Sequence, residues 1–298
     1  MSAELVPKMD RLAHLSFRTL YDESMNQAVG RDTQGSPEQA ARIAFFGGSF
    51  DPPHLGHLAI ARAARDAFHL DAVLFAPVGA QPLKPEGSSA NFDDRLAMTR
   101  LAINNEPHFA VSLADAPKLR DAGGSQPNYT LDTLAQLRSQ LDPNAELYCL
   151  MGADAFFGLR QWHRAAEIPY AASLIVASRP GLPSAGEKLA GDILDELQAA
   201  LPAGLALEPS SAGDRNLSGP RNSGIAVRAF SIVNPAGERA PFYVLPGLDV
   251  EISATAIREA IRHTGIRGTT VPPTHSDALQ SMLPAAVADY ALSHGLYR

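Results

Sequence analysis

The chain runs to 298 residues, 45% hydrophobic and 19% charged, with a net charge of −7 and one cysteine, Cys149. Such figures suit an ordinary globular protein with material for one large domain. They exclude disulfides and cysteine-based zinc sites within the chain, and they disfavour a broad nucleic-acid face, which needs many cations, though not a small anionic ligand, which needs few.

No run of about 18 apolar residues occurs, so no membrane-spanning helix is expected. The opening "MSAELVPKMDRLAHLSF" carries Glu4 and Asp10 and lacks a charged-then-apolar leader pattern, so the cytoplasm is the expected compartment. Residues 1–40 read as an extension. Leu12, Leu15, Phe17 and Leu20 give part of an amphipathic helix, and "GRDTQGSPEQA" reads as a linker. From residue 41 the pattern changes. The runs "ARIAFFGG", "AVLFAPVG", "ELYCLMG" and "SLIVAS" are short and almost continuously apolar, as strands buried on both faces of a parallel sheet are. Helices are expected at His54–His69, Asp93–Asn104 and Thr130–Gln140. Strand, helix, strand in repetition predicts an α/β fold with right-handed crossovers, a doubly wound parallel sheet. An insertion is expected over Gly181–Pro241, with its own helix near Gly186–Leu201 and a strand at Ile225–Val233. Within it, eleven of the seventeen residues 208–224 are Gly, Pro, Ser or Asn, which predicts a mobile loop. "FYVL" restores the strand pattern, and helices over Ala254–His263 and Pro284–His294 close the chain.

The chemistry concentrates in "FFGGSFDPPHLGHLAIARAA", from Phe45. A strand delivers the chain to Gly47 and Gly48, where a missing Cβ lets backbone approach a ligand. Pro52 and Pro53 suit the first turn of the following helix. Leu58, Ala61, Ala64 and Phe68 recur at steps of three and four and give that helix a buried face. His54 and His57, three apart, share its N-terminal end, where unpaired N–H groups and the macrodipole favour phosphate. The glycine spacing matches neither the dinucleotide fingerprint nor the P-loop.

"GGSFDPPHLGHL" resembles the signature of the nucleotidyltransferase superfamily with an H-x-G-H motif, and most closely the bacterial nicotinate-nucleotide adenylyltransferases. The resemblance implies a Rossmann-like sheet whose strand ends hold ATP and nicotinate mononucleotide, joined with release of pyrophosphate. Further segments are similar to that family. "APVGAQPLKP" sets Lys84 at the carboxyl edge of the sheet, where a lysine can neutralise phosphate. "NYTLDTLAQL" matches Y-T-x-D-T-L, with Thr130 a candidate N-cap and Tyr129 and Thr130 implied at the acceptor's nicotinate end. "LMGADAFFGLRQW" matches G-x-D and a later tryptophan, implying Gly152 and Asp154 near sugar and phosphate and Trp162 stacked on the pyridine ring. "DVEISATAIREAIRHTG" is similar to the I-S-x-T-x-I-R segment that binds ATP phosphates, which singles out Ser253, Thr255 and Arg258. "LPAAVADYALSHGLYR" resembles the family's closing helix and terminal L-Y. The first forty residues and most of Gly181–Pro241 lie outside the resemblance, and they leave a homo-oligomer open.

By that resemblance His54, His57 and Arg258 act on the phosphates, and the backbone of Gly47, Gly48, Ser49 and Phe50 cradles the nucleotide. Magnesium would ride on the ATP phosphates, with Asp51 a candidate helper. Two alternatives stand beside this reading: an adenylyltransferase for nicotinamide mononucleotide or another phosphorylated acceptor, and a non-catalytic nucleotide sensor. Phosphopantetheine adenylyltransferases and cytidylyltransferases share the H-x-G-H core, but the Y-T-x-D-T-L and G-x-D…W segments speak against them.

Overall fold

The computed structural model describes residues 40–84, 86–119, 125–177, 191–210, 227–245, 252–265 and 279–298. Residues 1–39 of the expected extension over 1–40, most of the expected loop at 208–224 and the start of the helix near Gly186 fall outside the described residues.

Strand β1 (Arg42–Gly48) leads into helix α1 (Leu55–Phe68), followed by β2 (Ala72–Pro77), α2 (Phe92–Ile103) and β3 (Phe109–Val111). Two short strands, β4 (Lys118–Leu119) and β5 (Ser125–Gln126), pair with each other before α3 (Thr130–Gln140). Next come β6 (Glu146–Gly152), α4 (Ala153–Phe157), α5 (Ile168–Ala171), β7 (Ser173–Ala177), α6 (Gly191–Ala200), β8 (Ala206–Pro209), β9 (Arg228–Val233) and β10 (Arg239–Leu245). Helices α7 (Ala254–Gly265) and α8 (Ala285–Ser293) follow.

Alternation along the strands builds two cores. Ala44, Phe46, Val73 and Phe75 face α1, α2, α7 and α8, while Ile43, Phe45, Leu74 and Leu147 face α3 to α6. Each fully buried Phe or Leu side chain contributes about 1.5–3 kcal/mol, so this pleat is what sorts helices onto the two faces. The eight-stranded sheet has the order β3-β2-β1-β6-β7-β10-β9-β8. Its first six strands are parallel neighbours, as the apolar runs predict.

The far edge departs from the expected parallel sheet, because β10 pairs antiparallel with β9, and β9 with β8. The cause is a tight turn at "NPAGE". Asn234 Oδ1 accepts from the amides of Ala236 and Glu238, and Gly237 takes a left-handed φ of 82°. That combination drives a hairpin, and its turn residues were present to be read. The inserted segment therefore widens the same sheet. Glu208 and Pro209, expected in a mobile loop, lie in strand β8, where pairing with Ser231 and Phe230 satisfies their backbone.

Helix ends are set locally with two corrections. Asn91 caps α2 by accepting from the Asp94 amide. The N-cap of α3 is Tyr129, not Thr130, which is already its first helical residue. Pro52 and Pro53 precede α1 rather than occupying its first turn; His54 is the N-cap, and the Asp51–Pro52 peptide is cis.

Candidate functional site

Strands on either side of the β1–β6 boundary run outward in opposite directions, which makes that boundary the topological switch point of the sheet. The β1–β6 ladder stops at Phe45↔Cys149, while β1 stays paired with β2 to Gly48↔Pro77 and β6 with β7 to Gly152↔Ala177. The ladder between the two strands therefore ends before their carboxyl ends, with Gly47 and Gly48 on one side and Gly152 on the other, the position at which open α/β sheets bind ligands.

The glycines here answer to packing as well as to ligand approach. A Cβ on Gly47 would lie 2.7 Å from Cζ of Phe45, whose ring already fills that space, and one on Gly48 would lie 3.3 Å from the Phe50 ring. Phe50 is buried with a φ of 46°, a conformation that costs a non-glycine residue energy and needs support. Its ring packs on Phe46 at 5.6 Å and on His57 at 4.9 Å.

His54 and His57 stack face to face, with ring centroids 3.7 Å apart. Gly56 between them leaves room for the stack, since a Cβ there would sit 3.0 Å from His54 Nδ1, a tight contact that the ring would have to ease. The His54 backbone N–H donates to Nδ1 of His57 at 3.2 Å. A neutral His57 ring must then carry its proton on Nε2, which leaves that N–H as the ring's one donor. Burial lowers the pKa of His54 to about 4. Burial, and after it the neighbouring His54, also lowers His57 well below the ordinary value. Both imidazoles are neutral at pH 7. The helix end is less open than the sequence suggests, since the Leu55 amide donates to the Met282 carbonyl at 2.9 Å and the His57 amide to the His54 carbonyl at 2.9 Å.

Positive charge reaches this end from 207 residues away. Arg258 donates from Nη1 to the Asp51 carbonyl at 2.8 Å and from Nη2 to Thr255 Oγ1 at 3.1 Å. Ser253 caps α7 by accepting from the Ala256 amide at 3.1 Å, which sets the helix and with it Thr255 and Arg258. Arg258 thus ties the start of α7, with Thr255 and Ser253, to Asp51 in the turn that leads from Gly47–Phe50 into His54 and His57.

The remaining expected residues line the same carboxyl edge without joining that link. Lys84 is exposed on the turn after β2, and Tyr129 and Thr130 open α3. Gly152 is the N-cap of α4, and Asp154 lies exposed in its first turn. Trp162 is half-buried, packed partly on the core beneath α3 and α4. His163 stacks on Tyr129 at 4.2 Å.

Three residues that hold the edge together escaped the sequence. Arg95 is buried and donates to the carbonyls of Ser49 at 2.6 Å, Val78 at 2.8 Å and Ala90 at 3.2 Å. Asn128 accepts from the Ala80 amide and donates to the Ala116 carbonyl, clamping the turn that leads to Lys84. Asp115 is buried, accepts from the Thr133 hydroxyl and lies 3.7 Å from where a Gly47 Cβ would be. Burial raises its pKa to about 6. No spacing or motif links these residues to their partners, so only the Thr133 of "YTLDTL" was a visible thread. Cys149, buried and with its thiol pushed up to about 12 by burial, is no nucleophile.

Among the described residues no group of three or more His, Cys, Asp or Glu side chains converges to hold a metal, and no helix is long and apolar enough to cross a membrane. Asp51, the expected helper for magnesium, spends its carboxylate otherwise: it accepts from the amides of Ser89 at 2.6 Å and Ala90 at 3.0 Å, and from the Tyr297 hydroxyl at 2.9 Å.

Comparison with known proteins places these motifs in context. The family profile described as cytidylyltransferase-like matches residues 45–260. A protein of Stenotrophomonas maltophilia named "Probable nicotinate-nucleotide adenylyltransferase" is 35% identical over 85% of this chain and 96% of its own length. A protein of the same name from Laribacter hongkongensis is 36% identical over 86% of this chain and 94% of its own. Among solved structures, Plasmodium falciparum nicotinic acid mononucleotide adenylyltransferase complexed with NaAD superposes with a TM-score of 0.53 at 15% identity, covering 86% of this chain and 97% of that one. At that identity the likeness speaks for the fold.

Proposed function

This chain belongs to the nicotinate-nucleotide adenylyltransferases of the cytidylyltransferase-like family, and on that footing we propose that it transfers the adenylyl group of ATP to nicotinate mononucleotide, giving nicotinate adenine dinucleotide and pyrophosphate. The observation that carries the reading is the hydrogen bond from Arg258 to the Asp51 carbonyl, which seats the two phosphate motifs at one helix end.

The acceptor's 5′-phosphate oxygen attacks the α-phosphorus of ATP. One P–O bond forms as the bond to the β,γ-pyrophosphate breaks, and no proton transfer to the protein is needed. Catalysis is then positioning and charge stabilisation. His57 offers Nε2–H to an α-phosphate oxygen, and His54, stacked beneath it, lines the same phosphate track. Arg258 supplies the fixed charge that two neutral imidazoles lack, and Thr255 holds its guanidinium. Lys84 meets the phosphates from the β2 side. The Gly47–Phe50 backbone, with Ser253, supports the nucleotide, while Tyr129, Thr130, Gly152, Asp154 and Trp162 border the acceptor. Magnesium enters as part of the MgATP substrate, and the reaction runs in the cytoplasm.

The test is pyrophosphate release from MgATP with nicotinate and nicotinamide mononucleotides offered in parallel. A strong preference for the first is expected. Equal use of both keeps the chemistry and overturns the acceptor assignment. Silence with each, in folded protein that binds ATP, overturns the enzyme reading in favour of a nucleotide sensor.

A further inference from the structure

The closing segment after α7 is the one motif of the sequence that the proposed chemistry leaves without work, yet it touches the histidine turn at two points. The Met282 carbonyl accepts from the Leu55 amide at the start of α1, and the Tyr297 hydroxyl donates to Asp51 Oδ1 at 2.9 Å. Tyr297 is buried and takes a φ of 64°, so the turn after α8 bends inward to deliver it. Burial, and then the adjacent Asp51, push its hydroxyl pKa up, which keeps it a donor.

Asp51 is the junction. Its carboxylate takes Tyr297, Ser89 and Ala90, and its carbonyl takes Arg258. It directly follows Phe50, the left-handed residue whose ring edges onto His57 at 4.9 Å. A shift of Asp51 therefore moves both the ring against His57 and the acceptor that aims Arg258. We propose that Tyr297 is a positioning residue for adenylyl transfer, acting through Asp51 to hold His57 and Arg258 in register; this rests on the function proposed above.

The closing segment has a second hydroxyl anchor that makes a control. Tyr290 on α8 donates to Asp94 Oδ1 at 2.9 Å, on α2 and away from the histidine turn. Tyr297→Phe keeps the ring and removes only the donor. Steady-state rates are measured well below each variant's melting midpoint, alongside the His57 imidazole resonances in the full-length apo-protein. Tyr297→Phe is expected to lower kcat about tenfold with KM for both substrates within about twofold, since small misplacements at a reacting centre act on the chemical step. It should also shift the His57 resonances, while Tyr290→Phe leaves kcat and those resonances unchanged. Unchanged kcat in Tyr297→Phe, or an equal loss in Tyr290→Phe, overturns the proposal. A wild type that releases no pyrophosphate overturns the function instead. In that case His57 resonances unmoved by Tyr297→Phe overturn the positioning role as well.

Discussion

Replacing His54 by Gln should flatten the loss of stability on acidification. Folding takes the imidazole from an ordinary pKa of 6.5 to about 4 by burial. Between those values the unfolded chain binds the proton and the folded chain does not, so stability falls as pH drops below about 6.5 and the loss is complete below about 4. Fully expressed, the displacement amounts to about 3 kcal/mol, of which about 2 kcal/mol is lost by about pH 5. That is a large part of a typical folding free energy of about 5–15 kcal/mol. The assay is urea unfolding of wild type and His54→Gln at several values from about pH 7.5 to about pH 5, where titrations common to both cancel in the difference. The variant is expected to gain about 2 kcal/mol on wild type across that range. Parallel curves would refute the reasoning, since they would mean that His54 protonates in the fold as easily as in water.

Other expectations follow from the same geometry. His57→Ala should cut pyrophosphate release by about 10²–10³ with the circular dichroism of the fold unchanged, the usual cost of losing one donor to developing charge. Gly56→Ala puts a Cβ 3.0 Å from His54 Nδ1 and presses the His54 ring to give by a few tenths of an ångström against the His57 stack, so turnover should fall and thermal unfolding report a cost of about 1–3 kcal/mol. Asp115→Asn works with the opposite sign to His54. A buried carboxyl raised from 3.8 to about 6 loses the fold stability as pH rises through that window, so the variant should gain on wild type by about 2 kcal/mol between about pH 4 and about pH 7 in urea titrations. Arg95→Lys leaves one ammonium facing three carbonyls from separate segments, and the thermal midpoint should fall by several degrees, with about 1–3 kcal/mol lost for each carbonyl left bare.

Much of this protein was legible in one dimension because its signals are local. Apolar runs of strand length, the helical steps of Leu58, Ala61, Ala64 and Phe68, and the spacing of His54 and His57 each involve neighbours within a few residues. Such patterns set the strands, placed α1 from His54 to His69 within a residue of its ends, and brought two histidines to one helix terminus. The "NPAGE" turn was equally local and turned the sheet edge antiparallel.

What the tertiary structure alone decided is everything that depends on distant partners. Arg258 finds the Asp51 carbonyl across 207 residues, Tyr297 its carboxylate across 246, and Arg95 braces Ser49 across 46. Arg95, Asp51 and Tyr297 are buried and Arg258 is partly buried, and a buried donor or acceptor must be matched in space by whichever segment the fold brings near. Periodicity registers which face of a helix is apolar, but it holds no record of which carbonyl a buried guanidinium will meet. The site's residues could therefore be named from the sequence, while the contacts that aim them could be read only once the chain had folded.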